Sequence, residues 1–102
     1  MNVPVTLRTE VVLNRAIEED LMERLHHHGV ASRYTVFVGV QGVGSSGERR
    51  GDHVWPEENI VVLFYLPETE SALVVTAVRE LKHRFPNEGI KLFQYPVTAL
   101  IE

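Results

Sequence analysis

Hydrophobic and polar positions largely alternate at the start of the chain. Val3, Val5, Leu7, Thr9, Val11 and Leu13 interleave with Pro4, Thr6, Arg8 and Glu10. Period-two alternation of this kind predicts a half-buried strand, and Pro4 predicts a late start or an edge position. The period then changes. Ile17, Leu21 and Leu25 recur at helical spacing with Met22 alongside. Asn14 can cap this helix and Gly29 can end it in the left-handed conformation. Tyr34, Val36, Val38 and Val40 alternate with Thr35, Phe37 and Gly39, predicting a second strand. Ile60 to Leu66, IVVLFYL, is an unbroken apolar run between Asn59 and Pro67. It reads as a strand buried on both faces, or on one face and against a subunit. Val74, Ala77, Val78, Leu81 and Phe85 predict a second helix, started by Thr69 or Ser71 and stopped by Pro86. KLFQYPVTALI is the last strand, with Pro96 at a bend, bulge or edge.

The predicted order is β-α-β-β-α-β in one domain spanning residues 1–102. That order implies an α+β, ferredoxin-like sandwich: an antiparallel four-stranded sheet with both helices on one face. Phe37, Phe64 and Tyr95 are expected on the other face, which a small domain tends to cover by oligomerising.

The stretch from Thr35 to Val62 is the anomaly. It leaves a strand, passes glycines at 39, 42, 44, 47 and 51, and returns to a strand. A connection longer than about a dozen residues in so small a domain is usually functional or disordered. Glycines let backbone N–H groups approach an anion closely, although a lone G-x-G also suits a plain hairpin connection.

Composition narrows the classes. A 44% hydrophobic content supports a real core. A net charge of -4 argues against a broad basic surface for nucleic acid. Cysteine is absent, which excludes disulfides and thiolate metal sites. The longest apolar run is too short to span a bilayer, and MNVPVTLRTE lacks the apolar core of a signal peptide. A soluble cytoplasmic protein is expected.

Two stretches resemble a known family. VGVQGVGSSG resembles the glycine-rich entry to the T-loop of the PII signal-transduction proteins, with Gly42-Val43-Gly44 at the G-x-G turn. GIKLFQYPVTALI resembles the family's last strand through Lys91, Phe93, Pro96 and Val97. The short loop, with Gly39 ahead of the turn, is closer to the divergent carboxysome- and bicarbonate-associated PII-like proteins than to the nitrogen regulators.

The resemblance implies a homotrimer that binds adenine nucleotides in clefts between subunits. It places Thr35 and Val36 near the base, and Gly42, Gly44, Ser45 and Lys91 at the phosphates. Backbone contacts would come from Ile60, Val61 and Val62. Lysine suits the phosphates as a point charge. The chain ends at Glu102 without the family's two triphosphate-binding arginines, so ADP or AMP is expected over ATP. Arg49 or Arg50 could substitute for them. No tyrosine occupies a loop tip, so regulation by uridylylation is not implied. Bicarbonate is a candidate second ligand, and a regulated transporter or enzyme of inorganic-carbon or nitrogen metabolism is the implied partner. Trp55 is either an anchor for the loop base or a partner contact.

Other chemistry is weaker. His26, His27 and His28 point about 100° apart on a helix and cannot converge on one ion. They suit the negative helix end. Asp52 and His53, with Glu57 and Glu58, could form a metal or proton site, and a metal-responsive trimer of the divalent-cation-tolerance type would use His53, Asp52 or the 26–28 histidines. No resident metal is expected, however. No nucleophile with a base and an orienting group is visible, so no enzyme is expected. The catalytic alternatives are a weak nucleotide phosphohydrolase or a ferredoxin-like monooxygenase or isomerase.

Overall fold

The computed structural model describes residues 5–30, 32–40 and 58–101. Strand β1 (Thr6–Asn14) is followed by a 3-10 turn (Arg15–Ile17), helix α1 (Glu18–His27) and strand β2 (Thr35–Val40). Strand β3 (Asn59–Pro67), helix α2 (Glu68–Arg84) and strand β4 (Lys91–Val97) complete the order. The sheet runs β2-β3-β1-β4, with every neighbouring pair antiparallel. This is the predicted ferredoxin-like arrangement.

Alternation in β1 sends Thr9, Val11 and Leu13 into the core. Register places Phe64, Val62 and Ile60 of β3 opposite them. Leu21 and Leu25 of α1, and Val74, Ala77, Val78 and Leu81 of α2, close over this face. Phe64 therefore lies beneath the helices and is fully buried, not on the uncovered face where the sequence placed it. The run IVVLFYL is apolar on both sides, so alternation cannot orient it. Pairing with Thr9 does.

Gly29 acts as expected, but the Asn14 cap falls one turn early, and α1 itself begins after Ile17 without a side-chain cap. The Asn14 side chain accepts from the Ala16 N–H at 2.8 Å, capping the 3-10 turn that leads into α1. Gly29 closes the helix at φ 74°. The start of α2 differs from expectation. Pro67 sets an extended approach, and the Glu68 N–H donates to the Val5 carbonyl at 3.1 Å. The helix thus begins at Glu68 without a side-chain cap. Thr69 lies inside its first turn, and buried Ser71 donates to the Leu66 carbonyl.

The helices are joined by a polar clasp. His28 Nε2 lies 2.7 Å from Glu80 Oε1, and Arg24 Nη1 lies 3.6 Å from the same oxygen. The hydrogen bond from His28 holds the Glu80 carboxyl below its ordinary value of 4.5. A depressed carboxylate pKa contributes stability that is complete above the unfolded value and is lost as pH falls through the folded one. Glu80→Gln should therefore flatten the acid limb of thermal stability measured from about pH 6 to about pH 3. An unaltered limb would remove the clasp from the acid response.

Candidate functional site

β2 does not run evenly beside β3. Phe37 pairs with Val61 and Val40 with Asn59, so Val38 and Gly39 together stand opposite Ile60. Two residues against one is a β-bulge, a device that re-aims a strand next to functional loops. Gly39 takes φ 70° there. A Cβ added at this position would meet only Glu58 Oε1, at 3.9 Å, so the requirement for glycine is one of backbone conformation. Gly39→Ala should lower stability by about 1–2 kcal/mol, and Gly39→Asn by less, since asparagine tolerates this region. Thermal unfolding of the two variants checks the order.

The far root of the connection is held as well. Arg15 Nη1 donates to both carboxylate oxygens of Glu58, at 3.2 and 3.1 Å. The Arg15 backbone N–H donates to the Glu58 carbonyl at 2.9 Å. Glu58, considered above as a metal ligand, is thus engaged by an arginine that the sequence did not single out.

The predicted nucleotide residues divide among several places. Thr35 and Val36 lie opposite Leu63 and Val62. Thr35 points to the uncovered face, and Val36 packs against the core. Val61 and Val62 pair with β1 on one side and β2 on the other, which commits their backbone to the sheet. Ile60 alone faces the bulge. Lys91 is exposed and opens β4 at the same end of the sheet as the bulge, but on the opposite edge. Three strand spacings, roughly 14 Å, separate it from β2. One protomer therefore brings β2 and β3 together and leaves Lys91 apart. Gly42, Gly44, Ser45, Arg49, Arg50 and Trp55 lie outside the described residues, as do Asp52 and His53. Among the described residues, no three His, Asp or Glu side chains are placed to share a metal ion.

The uncovered sheet face carries Phe37 and Tyr95, as expected, and beside them Arg8, Glu10 and Tyr65, which the sequence did not single out. Arg8 sits at its centre, directly between Tyr65 on β3 and Tyr95 on β4. Its guanidinium lies 5.6 and 5.8 Å from the two ring centres. Arg8 Nε donates to Glu10 Oε1 at 2.9 Å, and Nη1 donates to the Tyr65 hydroxyl at 2.8 Å. The Tyr95 hydroxyl donates to Glu10 Oε1 at 3.1 Å. Burial, then this hydrogen bond, pushes the Tyr95 hydroxyl above its ordinary range, so it stays a donor. Phe37, Tyr65, Phe93 and Tyr95 are each about half exposed on this face. At the sheet end away from the bulge, a cleft of ≈ 610 Å³ opens between Thr6, Arg33, Tyr65 and residues 97–101. Leu100 and Ile101 there are 90% and 94% exposed.

No family model matches the sequence, and no curated protein matches it. Solved structures do match. CPII, a nitrogen regulatory PII-like protein of Thiomonas intermedia K12 solved with ADP, AMP and bicarbonate, superposes with a TM-score of 0.69. The match has 20% identity and covers 93% of this chain and 91% of that one. The fold is that of the PII-like proteins. TTHA0516 of Thermus thermophilus, assigned to the PII-like signalling proteins, matches at TM-score 0.64 and 24% identity, over 93% and 88% of the two chains. GlnK of B. subtilis, solved as its ATP complex, matches at 0.67 and 18%, over 92% and 84%. The PII-like fold thus spans nearly all of this chain. No described helix is long and apolar enough to cross a membrane.

Proposed function

We propose that this protein is a PII-like regulator that binds an adenine nucleotide and acts through binding rather than turnover. The observation that carries the reading is that, in a PII-like fold, the bulge at Gly39 and Lys91 lie at the same end of the sheet, on its two opposite edges. There the glycine-rich segment departs from β2, and β4 begins with a cation. The PII-like neighbours solved with ADP and AMP, or with ATP, support the ligand class.

A homotrimer fits the separation of Lys91 from β2. Side-by-side subunits would bring the β4 edge of one copy to the β2 edge of the next, placing Lys91 beside Thr35 and Ile60. The half-exposed aromatics of the uncovered face support burial against another copy. In this reading Gly42, Gly44 and Ser45 hold the phosphates with Lys91. ADP or AMP is the ligand we favour over ATP, a choice supported by the CPII structures solved with ADP and AMP. Nucleotide binding would alter how the 45–58 segment, with Trp55, Arg49 and Arg50, meets a regulated transporter or enzyme in the cytoplasm. For a ligand to do this it must bind the partner-competent state more tightly than the other. Bicarbonate, present in the CPII structure, is the candidate second ligand.

Calorimetric titration with ADP, AMP, ATP and cyclic AMP tests the proposal. Saturable binding near one nucleotide per subunit is expected, with ADP or AMP the tightest. No heat from any adenine nucleotide, with a folded protein, would overturn it.

A further inference from the structure

Four rows of side chains cross the uncovered face. Pro67, Thr6 and Val97 form the first, and Tyr65, Arg8 and Tyr95 the second. Thr35, Leu63, Glu10 and Phe93 form the third, and Phe37, Val61, Val12 and Lys91 the fourth. Most of this surface is apolar or aromatic, yet an ion pair lies at its middle. Arg8 and Glu10 are only 30% and 26% exposed before any partner arrives.

Their hydrogen bonding is half complete. A guanidinium has five N–H donors, and two of those on Arg8 are used. Glu10 accepts both of its bonds at Oε1, and among the described residues Oε2 has no hydrogen-bond partner. Outward-facing donors and an outward-facing acceptor therefore sit side by side. The face as a whole is close to charge balance, with Arg8 and Lys91 against Glu10. A polyanion or a strongly acidic peptide would leave Glu10 opposed by like charge. A surface carrying the same donors and acceptor satisfies both halves, and another copy of this chain is such a surface.

We propose that Arg8, held by Glu10, Tyr65 and Tyr95, is the positioning residue that fixes how copies of this chain register on one another through the open sheet face. The proposal rests on the homotrimer reading above and adds the element that makes the contact orientation-specific. Apolar rows alone slide on one another. A partly satisfied ion pair tolerates burial only where the facing groups complete it. Both tyrosine rings lie within cation–π reach of the guanidinium, and the Tyr65 hydroxyl accepts from it while Nε donates to Glu10, a forked set of contacts that a lysine cannot reproduce.

Three variants test this: Arg8→Met, Arg8→Lys, and Arg8→Met combined with Glu10→Leu. Light scattering after size exclusion and sedimentation velocity across a concentration series give stoichiometry, and circular dichroism reports folding. Wild type is expected to form a single trimeric species. Arg8→Met strands the Glu10 carboxylate and should weaken assembly at least about 100-fold, in line with the loss expected when one member of a buried pair is removed. Arg8→Lys should weaken it less. The double variant removes both charges and should recover association while losing its single stoichiometry.

A wild-type trimer with Arg8→Met unchanged overturns the role of Arg8 and leaves the nucleotide-binding proposal standing. A wild-type monomer at every concentration overturns both this inference and the trimer. If Arg8→Met fails to fold, Arg8→Lys decides. Weakened assembly supports the inference, and an unchanged trimer overturns it.

Discussion

Phe64→Ala is expected to lower the unfolding free energy by about 3–5 kcal/mol. The ring is fully buried, stands opposite Thr9, and lies 6.3 Å from the Tyr34 ring between centroids. Truncation removes its transfer free energy and leaves a cavity beneath α1 and α2. A domain of this size is stable by only about 5–15 kcal/mol, so the loss takes a large share of the total. At about 4–8 °C per kcal/mol the melting temperature should fall by well over ~10 °C. Urea unfolding measures the same quantity through its midpoint. The experiment also tests orientation. On the uncovered face, the same truncation would cost the protomer little and damage assembly instead. A loss below about 1 kcal/mol would therefore contradict the register of β3.

Lys91→Met should separate binding from folding. Lys91 is exposed at the first position of β4, and among the described residues it forms no salt bridge. Stability should stay within about 0.5 kcal/mol of wild type. A hydrogen bond to a charged group contributes about 1.5–3 kcal/mol, so affinity for ADP should fall by roughly 10- to 100-fold. Lys91→Arg should retain much of it, because the charge stays within reach of the phosphates. Equal affinity of wild type and Lys91→Met in calorimetry would remove the residue from the phosphate site.

These two variants also mark where sequence reading succeeds and where it stops. The alternation of Thr9, Val11 and Leu13 names one face of β1, because Thr6, Arg8 and Glu10 lie on the other. Asn14 and Gly29 mark the ends of the first helical segment through local chemistry alone. IVVLFYL offers no such contrast, and the face of Phe64 follows only from its pairing with a strand far earlier in the chain. Arg8 had no local signature. Its significance arises when Tyr65 and Tyr95, far along the chain, arrive on either side of it. Arg15 and Glu58 meet in the same way. Lys91 was found through a resemblance that also implies a subunit cleft, and its distance from β2 within one protomer follows from strand order. The candidate residues from Gly42 to Trp55 fall outside the described residues and stand on the sequence.

The pinning of both ends of the 41–57 connection, by the Val40–Asn59 pairing and the Arg15–Glu58 grip, has an evolutionary consequence. Once two anchor points are fixed, doubling the chain between them adds only about 0.6 kcal/mol of closure entropy. Length and composition there can drift almost independently of the hydrophobic core. A lineage with this scaffold can exchange the segment it shows to a client while inheriting the remainder unchanged. The same modularity makes the junction a natural graft point for foreign recognition peptides.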